Sequence, residues 1–167
     1  ANFVGDAGAA AIATALRAPG CALLRLNLEN NRVHSSGARA LAEAVGASTR
    51  FKRLTLSANN IVSRQRVKPE QLEGIGCAAP FKEGDRVRCE GREVEVMPFE
   101  RGGQFFVQVG SNEAVLAFVS AMESSDSFER LAIAGCNLSV ETRGVLRDAV
   151  DARRDRMGRG KPFMLHE

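Results

Sequence analysis

The stretch Leu23-Leu24-Arg25-Leu26-Asn27-Leu28-Glu29-Asn30-Asn31-Arg32-Val33 returns 28 residues later as Phe51-Lys52-Arg53-Leu54-Thr55-Leu56-Ser57-Ala58-Asn59-Asn60-Ile61. A third copy runs Phe128-Glu129-Arg130-Leu131-Ala132-Ile133-Ala134-Gly135-Cys136-Asn137-Leu138. Asn2 and Val4 repeat the end of the pattern at an offset of 29 from Asn31 and Val33. Apolar residues two apart mark a short strand with one face turned inward. Between the copies, Gly8, Ile12 and Leu16, then Gly37, Leu41 and Val45, then Ala114, Phe118 and Met122 recur four apart among alanines. Those are amphipathic helices with small residues for close packing, and a last helix is expected over Val140–Met157. Each unit is therefore a strand, a tight turn and a helix that buries its apolar face against the next unit.

This pattern resembles the leucine-rich repeats of the ribonuclease-inhibitor type, with consensus L-x-x-L-x-L-x-x-N/C-x-L in units of about 28 or 29 residues. The resemblance implies an α/β solenoid, with parallel strands on the concave side and helices on the convex side. Asn31, Asn59 and Cys136 then occupy the position where the chain turns out of the sheet. A buried Asn there bonds backbone groups that the sheet leaves open, and stacked copies form a ladder.

The third unit is interrupted. A helix is due near position 65 but the matching segment opens at Ala114, 49 residues late. Three parts follow: repeats over 1–62, an inserted β-rich lobe over 63–112, and a last repeat with a basic C-terminal tail over 113–167. Within the insert, 86–89, 93–97 and 104–109 alternate apolar and charged residues and are expected to form an antiparallel meander. Val87, Cys89, Val94, Val96, Phe105, Val107 and Val109 would share its apolar face, with turns at Glu90-Gly91 and Gly102-Gly103. The run Phe81-Lys82-Glu83-Gly84-Asp85-Arg86-Val87 resembles the opening strand of small Tudor or KOW-type β-barrels, which implies RNA, methylarginine or peptide binding. Eight basic and eight acidic side chains over 62–112 leave no phosphate footprint, however.

Composition narrows the function classes. Of the 167 residues, 44% are hydrophobic and 26% charged, as in globular proteins, and no apolar run approaches the roughly 18 residues that cross a bilayer. The net charge of +3 equals the excess over 151–161 alone, where Arg153, Arg154, Arg156, Arg159 and Lys161 face Asp151 and Asp155. Four cysteines (Cys21, Cys77, Cys89, Cys136) lack metal-ligand spacing, as do His34 and His166. Without secretory features the thiols are expected to be reduced, placing the chain in the cytoplasm or on the cytoskeleton. Gly74-Ile75-Gly76 lacks the rest of a phosphate loop, and Ser35 and Ser111 lack a nucleophile elbow. No catalytic residue, cofactor or metal is expected.

Binding surfaces remain. Arg25, Arg53 and Arg130 each precede the first strand leucine, flanked by the columns Asn27, Thr55, Ala132 and Glu29, Ser57, Ala134. Stacked arginines repel unless Glu29 or Glu129 intervenes, or unless they dock an acidic partner. Arg153, Arg154 and Arg156 offer a second basic surface, followed by Pro162-Phe163-Met164-Leu165 as an apolar anchor reaching into a neighbour. The function expected is a non-enzymatic protein-interaction module, a scaffold or assembly subunit. Repeats of this type occur in inhibitors, actin-filament capping proteins and innate-immune sensors. Activators of the nuclear-transport GTPase Ran also carry them, so GTPase activation is the alternative, with RNA contact in a ribonucleoprotein a third. Membranes, nucleic acid and small molecules are not expected as partners. Because Asn2 already stands at a turn position, the chain is also expected to be incomplete at its amino end and to work within something larger.

Overall fold

The computed structural model describes residues 2–97, 105–109, 112–158 and 163–167. In chain order they form α1 (Asp6–Arg17), β1 (Arg25–Asn27), α2 (Ser35–Gly46), β2 (Arg53–Thr55), β3 (Ser63–Val67), a 3-10 turn (Pro69–Gln71), β4 (Leu72–Gly74), β5 (Arg86–Cys89), β6 (Arg92–Glu95), β7 (Phe105–Val109), α3 (Glu113–Ser124), β8 (Arg130–Ala132), α4 (Val140–Met157) and β9 (Met164–His166). The architecture is mixed α/β. One parallel sheet has the order β1-β2-β8-β9, and two separate antiparallel sheets hold β3-β7 and β4-β5-β6.

Leu26, Leu54, Leu131 and Leu165 stand side by side across the parallel sheet. Positions 54 and 131 are thus neighbours despite the long segment between them. Below this row the helices supply Leu41, Val45, Phe118, Met122, Leu146 and Val150 to one core. A second row forms where the chain enters the strands: Phe51 and Phe128 lie 6.4 Å apart between ring centres, and Phe128 and Phe163 lie 5.3 Å apart. The segment after α4 does not reach into a neighbour as the sequence suggested. Phe163 is buried against Phe128, and Met164–His166 then pairs in parallel with β8 as the sheet's fourth strand. Burial of that ring outweighs exposing it on a tail. Lys161 and Pro162 lie outside the described residues.

At the far end of each strand the chain turns through a left-handed residue: Asn30 (φ 56°), Ala58 (φ 55°) and Gly135 (φ 70°). The next residue then bonds the backbone opened by the turn. Asn59 Nδ2 donates to Leu28 O at 2.8 Å and Leu56 O at 2.7 Å, while its Oδ1 accepts from Val33 N at 3.0 Å. Asn31 does the same for Leu28 O and Val4 N, each at 3.0 Å. Cys136 bonds from Sγ to Leu56 O at 3.1 Å and, more weakly, to Ala134 O at 3.9 Å.

Helices pack through small residues. A Cβ on Gly37 would lie 2.6 Å from Asp6 Oδ1 and 2.9 Å from Asp6 Cα, so only glycine lets α2 approach the start of α1 this closely. His34, the residue before α2, makes no side-chain cap. Asp6 caps this helix instead, accepting from His34 N at 2.7 Å and from Ser36 Oγ.

The segment 63–112 leaves and rejoins the parallel sheet at one place, because Ser63 pairs with Val109. Its own small core holds Val67, Leu72, Phe81, Val87, Cys89, Val96, Phe105 and Val107, with Val94 partly buried. The three-strand meander expected from sequence is corrected in one respect. β7 runs antiparallel to β3 and meets the end of β6 through a single bridge, Val96 to Val107. The returning chain lies beside the departing one, so β3 takes its edge. Gly102, Gly103 and Gln104 lie outside the described residues. The lobe is fixed to α4: Glu95, 9% exposed, accepts from Val140 N at 2.7 Å, and Glu83 pairs with Arg143.

Candidate functional site

Side chains alternate across a strand. With the leucines of β1, β2 and β8 turned to the core, the residues on either side of them face outward. They line an open groove of about 600 Å³ that gathers Arg25, Asn27, Glu29, Arg53, Thr55, Ser57, Arg130 and Ala132, together with Ala134 and His166. All nine positions of the three sequence columns are thus brought to one surface. His166 is an addition, carried there by β9 opposite Ala132.

The arginines dominate its charge. Arg25, Arg53 and Arg130 are direct cross-strand partners, so their Cα atoms are spaced by about the 4.8 Å between strands. Glu129, expected to separate them, pairs with Lys52 Nζ at 2.7 Å instead. Glu29 lies farther along the groove, where its amide donates to Asn27 Oδ1 at 2.8 Å. Among the described residues no carboxylate lies within ion-pair distance of any arginine of the row. Arg53 Nε is buried and has no hydrogen-bond partner. A row of like charges with no ion-pair partner among the described residues, on a sheet face whose one carboxylate, Glu29, lies farther along, is an anion-receiving surface. The floor is shallow because Ala132 is 6% exposed and Thr55 and Ser57 are short.

The second basic surface does not form as expected. Arg153 is 4% exposed and points inward, donating to Met122 O, to Ser125 O and Phe128 O at 2.9 Å each, and lying over the Phe163 ring. Burial lowers its pKa, neighbouring Arg156 lowers it further, and Asp126 offsets part of this. It is therefore unavailable to a partner. Arg156 donates to Met122 O at 3.0 Å, and Arg154 pairs with Asp151 at 2.7 Å on the surface. The inward position of Arg153 has a sequence signal: Thr142, Leu146, Val150 and Arg153 fall on one helical face, all buried.

A smaller polar pocket of about 130 Å³ lies between the inserted lobe and α4, lined by Arg86, Glu93, Glu95, Gln108, Asn112, Ser139 and Glu141. Arg86 is held by Glu93 at 3.1 Å and Glu95 by Val140 N, so three of its four charges are already engaged. Among the described residues no three His, Cys, Asp or Glu side chains are close enough to share a metal ion. Nor is any described helix long and apolar enough to cross a membrane. Neither a protein-family model nor a curated protein matches the chain.

Proposed function

We propose that this chain is a non-enzymatic interaction module of the leucine-rich-repeat, ribonuclease-inhibitor type, which receives an acidic segment of a protein partner on the open face of its parallel sheet. The repeat assignment is supported by strand pairing in the repeat register and by equivalent bonds from Asn31, Asn59 and Cys136, each to the carbonyl two residues before it. The observation that carries the function is the row Arg25, Arg53 and Arg130, side by side in a groove and without an ion-pair partner among the described residues. Such a row costs self-repulsion in the free protein and recovers it when carboxylates arrive, which makes it a device for association and not for folding. A scaffold or assembly subunit uses a surface of this kind. Four free thiols support a reducing compartment, the cytoplasm or cytoskeleton.

Fluorescence anisotropy with a labelled oligo-glutamate peptide tests this. Binding is expected to weaken steeply with salt and to be lost in the triple variant Arg25→Gln, Arg53→Gln, Arg130→Gln. Equal binding by the triple variant would remove the groove from the function.

A further inference from the structure

Resting on that reading, we infer that the occupant of the groove is an α-helix carrying an acidic stripe, lying across the strands along the arginine row. The row runs perpendicular to the strands because Arg25, Arg53 and Arg130 are paired Cα to Cα. Its two steps span about 9.6 Å. Acidic residues at i, i+4 and i+7 of a helix lie on one face and span about 10.5 Å, which meets all three arginines in register. An extended segment laid the same way repeats its face every second residue and covers about 13 Å in two steps, overshooting the row by about 3 Å. The floor fits a helix too. Where the helix would cross β2 and β8, Thr55, Ser57, Ala132 and Ala134 are short, so a rod about 10 Å wide meets no large side chain there beside the arginines. Arg53, in the middle of the row, would meet the central carboxylate.

The test uses the whole 167-residue chain and four fluorescent probes of equal length and charge. One is an alanine-based helix with glutamates at i, i+4, i+7 and i+11. The second is the same helix with glutamates spread around its circumference. The third alternates glutamate with proline and serine to forbid a helix, and the fourth is a single-stranded oligonucleotide. The striped helix is expected to bind at least about tenfold more tightly than the spread one, and Arg53→Glu to lower its affinity about tenfold. Arg130→Gln provides the same measurement with little change in size, and circular dichroism checks that each variant is folded. If the non-helical peptide binds as tightly as the striped helix, and Arg53→Glu weakens both, the helix inference fails while the groove stands. If no acidic peptide responds to Arg53→Glu or Arg130→Gln, the groove itself fails. Tightest binding by the oligonucleotide, lost in Arg53→Glu, would overturn the protein occupant.

Discussion

Asn59 and Leu28 are 31 positions apart and joined by a 2.8 Å hydrogen bond from the Asn59 amide to the Leu28 carbonyl. The same side chain holds Leu56 O and Val33 N, so one residue closes its own turn and ties it to the preceding one. Asn59→Ala would leave these buried groups unpaired. The expected loss is about 3 kcal/mol in urea unfolding followed by circular dichroism. Asn31→Ala, at a partly exposed position, should cost about 1 kcal/mol.

Arg153 secures the end of α3. Its guanidinium gathers Met122 O, Ser125 O and Phe128 O, carbonyls that the helix terminus and following loop leave open. Arg153→Met keeps the stem but strands Ser125 O and Phe128 O, while Met122 O keeps its bond from Arg156, with an expected cost of about 3 kcal/mol. Arg154→Met, which removes only a surface pair with Asp151, should stay within about 0.5 kcal/mol. Thermal unfolding of the two variants side by side separates the inward arginine from the outward one.

The repeats were legible because strand alternation and one shared spacing pattern, from the preceding apolar residue through the turn residue, recur around Leu26, Leu54 and Leu131. Elsewhere one of those signals is missing. In β9 the buried Phe163 stands two residues before its strand leucine, whereas Phe128 stands three before Leu131, so the repeat register is broken and the segment resembles a tail. In β3 the residues Ser63, Arg64, Gln65 and Arg66 are all exposed, and a strand with no buried face has no period to find. The arginine row was visible as a column, but its lack of an ion-pair partner among the described residues was not. Only the side-chain geometry shows that Glu129 turns to Lys52.

Asp6 makes α2 acid-sensitive. Partial burial by itself raises the carboxyl's pKa, but bonds from Ser36 and from the amides of His34 and Gly37, with the His34 ring, bring it below the ordinary 3.8. A depressed folded pKa contributes stability above the unfolded value, and that contribution is lost as pH falls through the folded one. Asp6→Asn should therefore be less stable than the parent chain at pH 7, with the gap closing below about pH 3.8. Chemical unfolding at both pH values measures it.

Glu95 makes the inserted lobe a cap for α4. Ser139 Oγ already serves Thr142 N at 3.1 Å, while Glu95 serves Val140 N, one of the helix's open amides. Glu95→Ala should cost about 1 kcal/mol. Replacing 64–110 with a short Gly/Ser linker should cost a similar amount and leave the parallel sheet folded, since Ser63 and Val109 are already paired neighbours. Loss of the far-ultraviolet helix signal in the deletion, but not in Glu95→Ala, would show that the lobe supports more than this helix end.

Cys136 is 1% exposed, and burial pushes its thiol pKa from 9.0 up to about 11 against a smaller opposing pull from the Asn59 backbone. Cys21 and Cys77 are partly exposed. Reactivity follows the thiolate and its access, so iodoacetamide at pH 8 should label Cys21 and Cys77 and spare Cys136 until the chain unfolds. The raised pKa also fixes a stability trend. Above about pH 9 the unfolded chain releases this proton while the folded chain holds it, so stability should fall as pH rises from 9.0 through about 11. The full effect is about 2–3 kcal/mol. Cys136→Ala removes the titration, so its unfolding free energy should decline less over that range than the parent's. Equal slopes for the two proteins would show that the thiol ionises as readily in the folded chain as in the unfolded one.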